Sequence, residues 1–113
     1  MSKRPVSVLI EDMWEAVGRI EHYTSGMSQD AFLKDRRTID AVVRNLEIVG
    51  EAANRLPDEF TRQHIDIAWG RIVGLRHRIV HDYFGIDVQM VWQILQNDLP
   101  AFQAKLQQLR SKA

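Results

Sequence analysis

Residues Asp35–Leu56 read DRRTIDAVVRNLEIVGEAANRL, and Pro57 follows at once. Projected at about 100° per residue, Ile39, Val42, Val43, Leu46, Val49, Gly50, Ala53 and Leu56 gather on one face. The stretch is therefore expected to be a long helix, stopped by the proline. Ala41, Ile48 and Ala52 widen the apolar face, so the helix should touch more than one neighbour. Gly50 lies within that face, where a missing side chain permits close helix approach. Asn45 falls in the widened arc as well. A buried amide left unpaired costs about 1–3 kcal/mol, so Asn45 needs partners. A helix–helix hydrogen bond and a role in a site are both open to it.

Outward from this helix, the rest of the chain repeats the same period. Val6 to Thr24 places Val6, Leu9, Ile10, Met13, Ala16, Val17, Ile20 and Tyr23 on one side, with Glu11, Asp12, Glu15, Arg19 and His22 opposite. Gly26 can take the left-handed conformation that closes this helix, and Ser28 can cap a short turn carrying Phe32. Pro57 to His64 reads as a connector with one helical turn. Asp66 can cap a third helix from Trp69 to about His81, and Asp87 can cap a last one from Val88. In the last helix Val88, Val91, Trp92, Leu95, Leu99, Phe102, Leu106 and Leu109 stay in phase past Pro100. That phase favours a kinked helix or two nearly collinear segments over a reversal. No run alternates with period two over strand length. The fold expected is a single all-α domain, residues 1–113, an antiparallel bundle of four to five helices.

Composition narrows the function. The 113 residues carry 15 Lys and Arg against 15 Asp and Glu, so no global field draws the chain to nucleic acid or anionic membrane. A local basic patch can still hold a phosphate. Cys is absent, which removes disulfides, thiolate metal sites and cysteine nucleophiles. No stretch approaches the ~20 apolar residues a membrane span needs, nor is there a secretory h-region, so a cytoplasmic protein is expected.

The chemistry concentrates in Gly74–Gly85, GLRHRIVHDYFG, which holds two of the four His together with two Arg, an Asp and a Tyr. In an unbroken helix from Trp69, Arg76 projects into the apolar face between the Leu75, Ile79, Ile72 group and the Trp69, Val80, Val73 group. Arginine does not shed its charge, so burial there demands an anion. Pairing with a buried carboxylate, or snorkelling to a rim, is one answer. A phosphate is the other: Arg, His and Tyr together suit a phosphodiester, with Arg holding two oxygens and His moving a proton. Arg71 and Arg78 lie on another side and can widen a basic surface or form a solvated edge. His77 either orients Arg76 or a phosphate, or is a bystander. His77 and His81 at i, i+4 share a helix face. No Glu lies between them and Asp82 is the sole further ligand nearby, so no metal site is expected.

Arg76-His77-Arg78-Ile79-Val80-His81-Asp82-Tyr83 resembles the Arg-x4-His-x-Tyr signature of HEPN-domain proteins, specifically the HepT-like toxin family. Arg44-Asn45-Leu46-Glu47-Ile48-Val49-Gly50-Glu51-Ala52-Ala53, Val91-Trp92 and Asp98-Leu99-Pro100 agree with it in order and spacing. The resemblance implies a HEPN-like helical bundle forming a two-fold homodimer. It implies a ribonuclease toxin of a prokaryotic toxin–antitoxin pair that uses no metal or other cofactor. Arg76 and His81 would be catalytic, with His77, Arg78 and Asn45 supporting the RNA. Tyr83 would receive AMP from a small nucleotidyltransferase antitoxin. His77 departs from the Asn or Asp common after the motif Arg. Two rivals remain at this level: a non-catalytic nucleotide-binding partner of a nucleotidyltransferase, and an inert bundle whose Arg76 is ion-paired.

Overall fold

The computed structural model describes residues 4–81 and 85–112, and of His81 the backbone alone. Helix α1 spans Val6–Thr24 and buries Leu9, Ile10, Met13, Ala16, Val17 and Ile20, the side marked out by the apolar period. Tyr23, placed on that side by projection, is exposed. Gly26 ends the segment at φ 75°, in the left-handed region that glycine enters without penalty. Ser28 then caps α2 (Gln29–Lys34), its hydroxyl accepting from the Ala31 amide at 3.1 Å.

Helix α3 (Arg36–Asn54) is the organising element. Asp35 caps it rather than opening it, its carboxylate accepting from the Thr38 amide at 3.1 Å. That bond, first among the causes, holds the Asp35 carboxyl below its usual range. Ile39, Val42, Leu46, Val49, Ala52 and Ala53 are buried against α1 on one side and the later helices on the other. Arg19 of α1 reaches Asn45, while Leu9 and Asp12 line a groove with Glu51, Asn54 and Arg55, so α1 and α3 run antiparallel. Glu11–Arg110 and Glu21–Gln103 contacts set α1 antiparallel to the last helix in the same way.

After α4 (Asp58–Gln63) the third helix departs from expectation. It is two short helices, α5 (Trp69–Val73) and α6 (Leu75–Ile79), hinged at Gly74 with ψ 8° in place of the helical value near −42°. Asp66 does not cap it; its carboxylate instead accepts from Lys105 Nζ at 2.8 Å. Gly50 has the role its position suggested. A Cβ there would lie 3.2 Å from the Ile72 carbonyl oxygen and 3.6 Å from that of Val73, so α5 lies backbone-close on α3. Gly50→Ala should therefore push the two helices apart and cost about 1–3 kcal/mol, read as a lowered denaturant midpoint. An unchanged midpoint would mean that the α5 backbone yields freely.

A minimal ladder follows, where no strand was expected. β1 (Val80–His81) pairs antiparallel with β2 (Gly85–Ile86), Val80 opposite Ile86 and His81 opposite Gly85. Two residues a side are too few to show a period in sequence. Gly85 sits at φ 79°, and the Asp87 amide donates to the Ile79 carbonyl at 2.7 Å, closing the hairpin base. Asp87 caps α7 (Val88–Gln93) through the Met90 amide at 3.0 Å. Helical bonding then continues through a π-turn (Ile94–Asp98) into α8 (Leu99–Lys112). Pro100 explains the wide turn: it has no amide to donate and its ring crowds the preceding turn, so the ladder loosens there. The last helix thus continues past Pro100 without reversing, as its phase required. Among the described residues the chain is an all-α bundle with one small hairpin. None of its helices is long and apolar enough to cross a membrane.

Candidate RNA-phosphate site

The buried stripe of α5 and α6 decides which motif residues reach solvent. In α6, Leu75 and Ile79 are fully buried, and Arg76, about 100° and 60° from them around the helix, flanks that stripe and is exposed. Its side chain is 69% exposed. The expectation of an Arg76 inside the apolar face is therefore corrected. Val73, expected on the same face, is exposed too, so the buried stripe is the narrower one of Ile72, Leu75 and Ile79, with Arg76 on its flank. Arg76 Nε lies 3.4 Å from Glu47 Oε2 on α3, a carboxylate 38% exposed.

Arg78 has a different fate. Its Nη1 and Nη2 donate to Asp98 Oδ2 and Oδ1 at 3.0 and 3.2 Å, a two-pronged contact. Arg71 Nε donates to the same Oδ2 at 3.1 Å. Asp98 is 8% exposed and sits at the end of the π-turn, which brings its carboxylate in toward both guanidiniums. Burial pushes its carboxyl up, but the hydrogen bonds from Arg78 and then Arg71 outweigh this and hold it below the ordinary value of 3.8. Arg78 and Arg71 are thus engaged in clamping α5 and α6 onto the last helix. Neither stands free on a basic surface, as the sequence had allowed.

Asn45 takes the helix–helix alternative. Its Oδ1 accepts from Arg19 Nε at 2.7 Å and its Nδ2 donates to the Ala41 carbonyl at 2.9 Å. Two residues along α3 is about 200° of rotation, so Asn45 and Glu47 face nearly opposite ways. Asn45 is consequently on the α1 side and not beside Arg76. His77 is exposed and makes no polar contact among the described residues. The His81 backbone lies in β1, two residues past the end of α6. Asp82 and Tyr83, the latter expected to carry AMP, fall outside the described residues.

Arg76 opens onto a groove of about 660 Å³ along the outer side of α3. Gly50, Ile48, Ala52 and Val73 contribute its apolar floor, and Arg4, Arg44, Arg55 and Arg76 its cations. Asp12, Glu51 and Glu47 answer three of these, in pairs with Arg4, Arg55 and Arg76. Arg44 is exposed, and among the described residues it has no partner. The groove carries a surplus of one positive charge and presents a guanidinium to solvent, a surface able to receive one phosphate. Among the described residues no cluster of three His, Asp or Glu is placed to hold a metal ion. Two residues quoted in the family blocks, Glu47 and Asp98, had no role assigned from the sequence. Glu47 stands one turn before the close-approach Gly50, and Asp98 stands two residues before the helix-loosening Pro100; those spacings were the available signals.

Comparison with known proteins agrees with the family resemblance. The Ribonuclease HepT-like family profile matches residues 13–109. A Thermococcus cleftensis protein named "Probable ribonuclease HepT" is 38% identical over 108 residues, covering 96% of this chain and 98% of that one. A Methanocaldococcus jannaschii protein named "Putative RNase MJ0127" is 37% identical over 100 residues, covering 88% and 83%. No solved structure matches. With the profile spanning most of its length and relatives aligned nearly end to end, this chain belongs to the HepT-like ribonuclease family.

Proposed function

We propose that the chain is a metal-independent endoribonuclease and the toxin of a toxin–antitoxin pair, acting through Arg76 and His81. The observation that carries this reading is the sorting of the arginines on α5 and α6. Arg78 and Arg71 are engaged with Asp98, whereas Arg76 stands exposed at the mouth of a groove. A guanidinium in that position can hold two oxygens of a scissile phosphate and offset the charge that builds on them as the bond breaks. His81, carried two residues beyond α6, would take the proton of the attacking RNA 2′-hydroxyl. The 2′-oxygen then bonds to phosphorus as the bond to the next nucleotide's 5′-oxygen breaks; that oxygen takes up a proton and leaves as a 5′-hydroxyl, and the phosphate remains cyclic on the 2′- and 3′-oxygens. The names borne by the aligned relatives support RNA as the substrate.

A groove open to solvent on one small domain lacks a second wall. A two-fold homodimer with both motifs facing one cleft would supply it and double the local positive charge while net charge stays zero. Tyr83 would be the control point. AMP attached by a nucleotidyltransferase antitoxin would bring bulk and negative charge into a phosphate cleft and close it to RNA.

The test is cleavage of RNA in EDTA by protein freed of any antitoxin. Cutting is expected to persist in EDTA and to be lost in His81→Ala. Cleavage that needs a divalent ion, or that His81→Ala leaves intact, would overturn the reading. Binding to a nucleotidyltransferase with no cleavage at all would make the chain its non-catalytic nucleotide-binding partner instead.

A further inference from the structure

We infer that Glu47 is the positioning residue for Arg76, fixing the guanidinium so that its outer edge is presented to the phosphate. The inference rests on the ribonuclease reading above and adds a residue which that reading does not use. An exposed arginine has several rotatable bonds and about 2 kcal/mol of side-chain rotamer entropy. A phosphate site built on a freely rotating guanidinium must lose that freedom each time substrate binds or the transition state forms. Arg76 is not free: its Nε lies 3.4 Å from Glu47 Oε2. The approach is at Nε, and neither Nη donates a hydrogen bond within the described chain. The Nη1–Nη2 edge therefore remains for a bidentate phosphate while the carboxylate steadies the other side.

The backbone supports the same arrangement. Glu47 stands on α3, a 19-residue helix, one turn before Gly50. At Gly50 the α5 carbonyls approach α3 closely, which fixes how far the start of α6 can lie from Glu47. Arg76 is the second residue of α6. The close approach and the ion pair are thus consecutive on one seam. Arg44, one turn earlier on α3, lines the same groove yet lies beyond ion-pair distance of Glu47, so the carboxylate is directed to the motif arginine.

An orienting carboxylate differs from a proton-transferring one in what a glutamine can do. Glutamine keeps an oxygen within reach of Nε but takes up no proton at neutral pH. It differs from a structural ion pair as well, since an exposed pair contributes little to stability. Steady-state cleavage of a defined RNA oligonucleotide by the intact protein, with thermal melting alongside, separates these roles. Glu47→Ala is expected to lower kcat about tenfold without raising KM, because a carboxylate is also removed from the path of a polyanion. Glu47→Gln is expected to stay within about threefold of wild type, and both variants to melt within about 2 °C of it. Full kcat in Glu47→Ala overturns the inference. So does a Glu47→Gln as impaired as Glu47→Ala, which would mark proton transfer, or a clear drop in melting temperature, which would mark a structural pair. Arg76→Ala in the same series tells the two levels apart. Normal cleavage there removes the ribonuclease reading and the inference together; lost cleavage there beside a fully active Glu47→Ala removes the inference alone.

Discussion

Arg76→Ala and Arg78→Ala should fail in opposite ways, although only one residue separates them. Arg76 is exposed and its single ion pair is a surface contact, so its loss should leave the melting temperature nearly unchanged. It should nevertheless lower RNA cleavage by roughly 10²–10³-fold, the usual cost of deleting a donor aimed at transition-state charge. Arg78 is 23% exposed and meets Asp98 through both Nη groups. Removing it leaves a nearly buried carboxylate with Arg71 alone, a loss of about 1–3 kcal/mol. Its cleavage defect should follow that loss and recover on cooling or on stabilising the fold. Melting and single-turnover cleavage on the two variants check both halves. An Arg76→Ala protein that melts early yet cuts normally would reverse the assignment.

The second large effect belongs to Asp98 itself. Asp98→Ala strands two guanidiniums, one of them largely covered, and removes the anchor between α5–α6 and the last helix. A destabilisation of about 2–4 kcal/mol is expected, since breaking a covered pair leaves its partners uncompensated. Asp98→Asn should lie between, keeping an oxygen to accept from one arginine. The pair also sets a pH dependence. The folded carboxyl titrates below the ordinary 3.8 because the arginine hydrogen bonds overcome the effect of burial. Its contribution is therefore fully present above the ordinary carboxylate range and is lost as pH falls through the folded value. Wild type should lose stability on acidification over that window, and Asp98→Ala should lose less. Parallel curves for the two proteins would place the acid sensitivity elsewhere.

Local grammar made most of the frame legible in the sequence. The bounds of α1, the glycine close at Gly26, the Ser28 and Asp87 caps and the close approach at Gly50 each depend on neighbours within a turn or on one apolar stripe. Arg76 shows where that grammar stops. Projection from Trp69 set Arg76 between two apolar groups, of which Ile72, Leu75 and Ile79 are buried as expected while Val73 is exposed, leaving Arg76 at the edge. Which apolar residues of this region are covered depends on α5 lying backbone-close on α3, a contact distant in sequence. The contact Arg78 makes was not legible for a related reason. Its partner Asp98 lies 20 residues on and is brought inward by the π-turn ahead of Pro100. Asn45 had two alternatives in sequence because its partner Arg19 lies on another helix. Motif spacing does not depend on such directions, which is why the family was legible in the residues alone.

The account turns on the claim that one exposed arginine and a nearby histidine cut RNA by internal attack of the 2′-hydroxyl. The chemistry of the cut ends tests it most directly. Antitoxin-free protein, incubated with RNA in EDTA, should leave 2′,3′-cyclic phosphate on one fragment and a free 5′-hydroxyl on the other. A 5′-phosphate product, or no product until a divalent metal is restored, would contradict it.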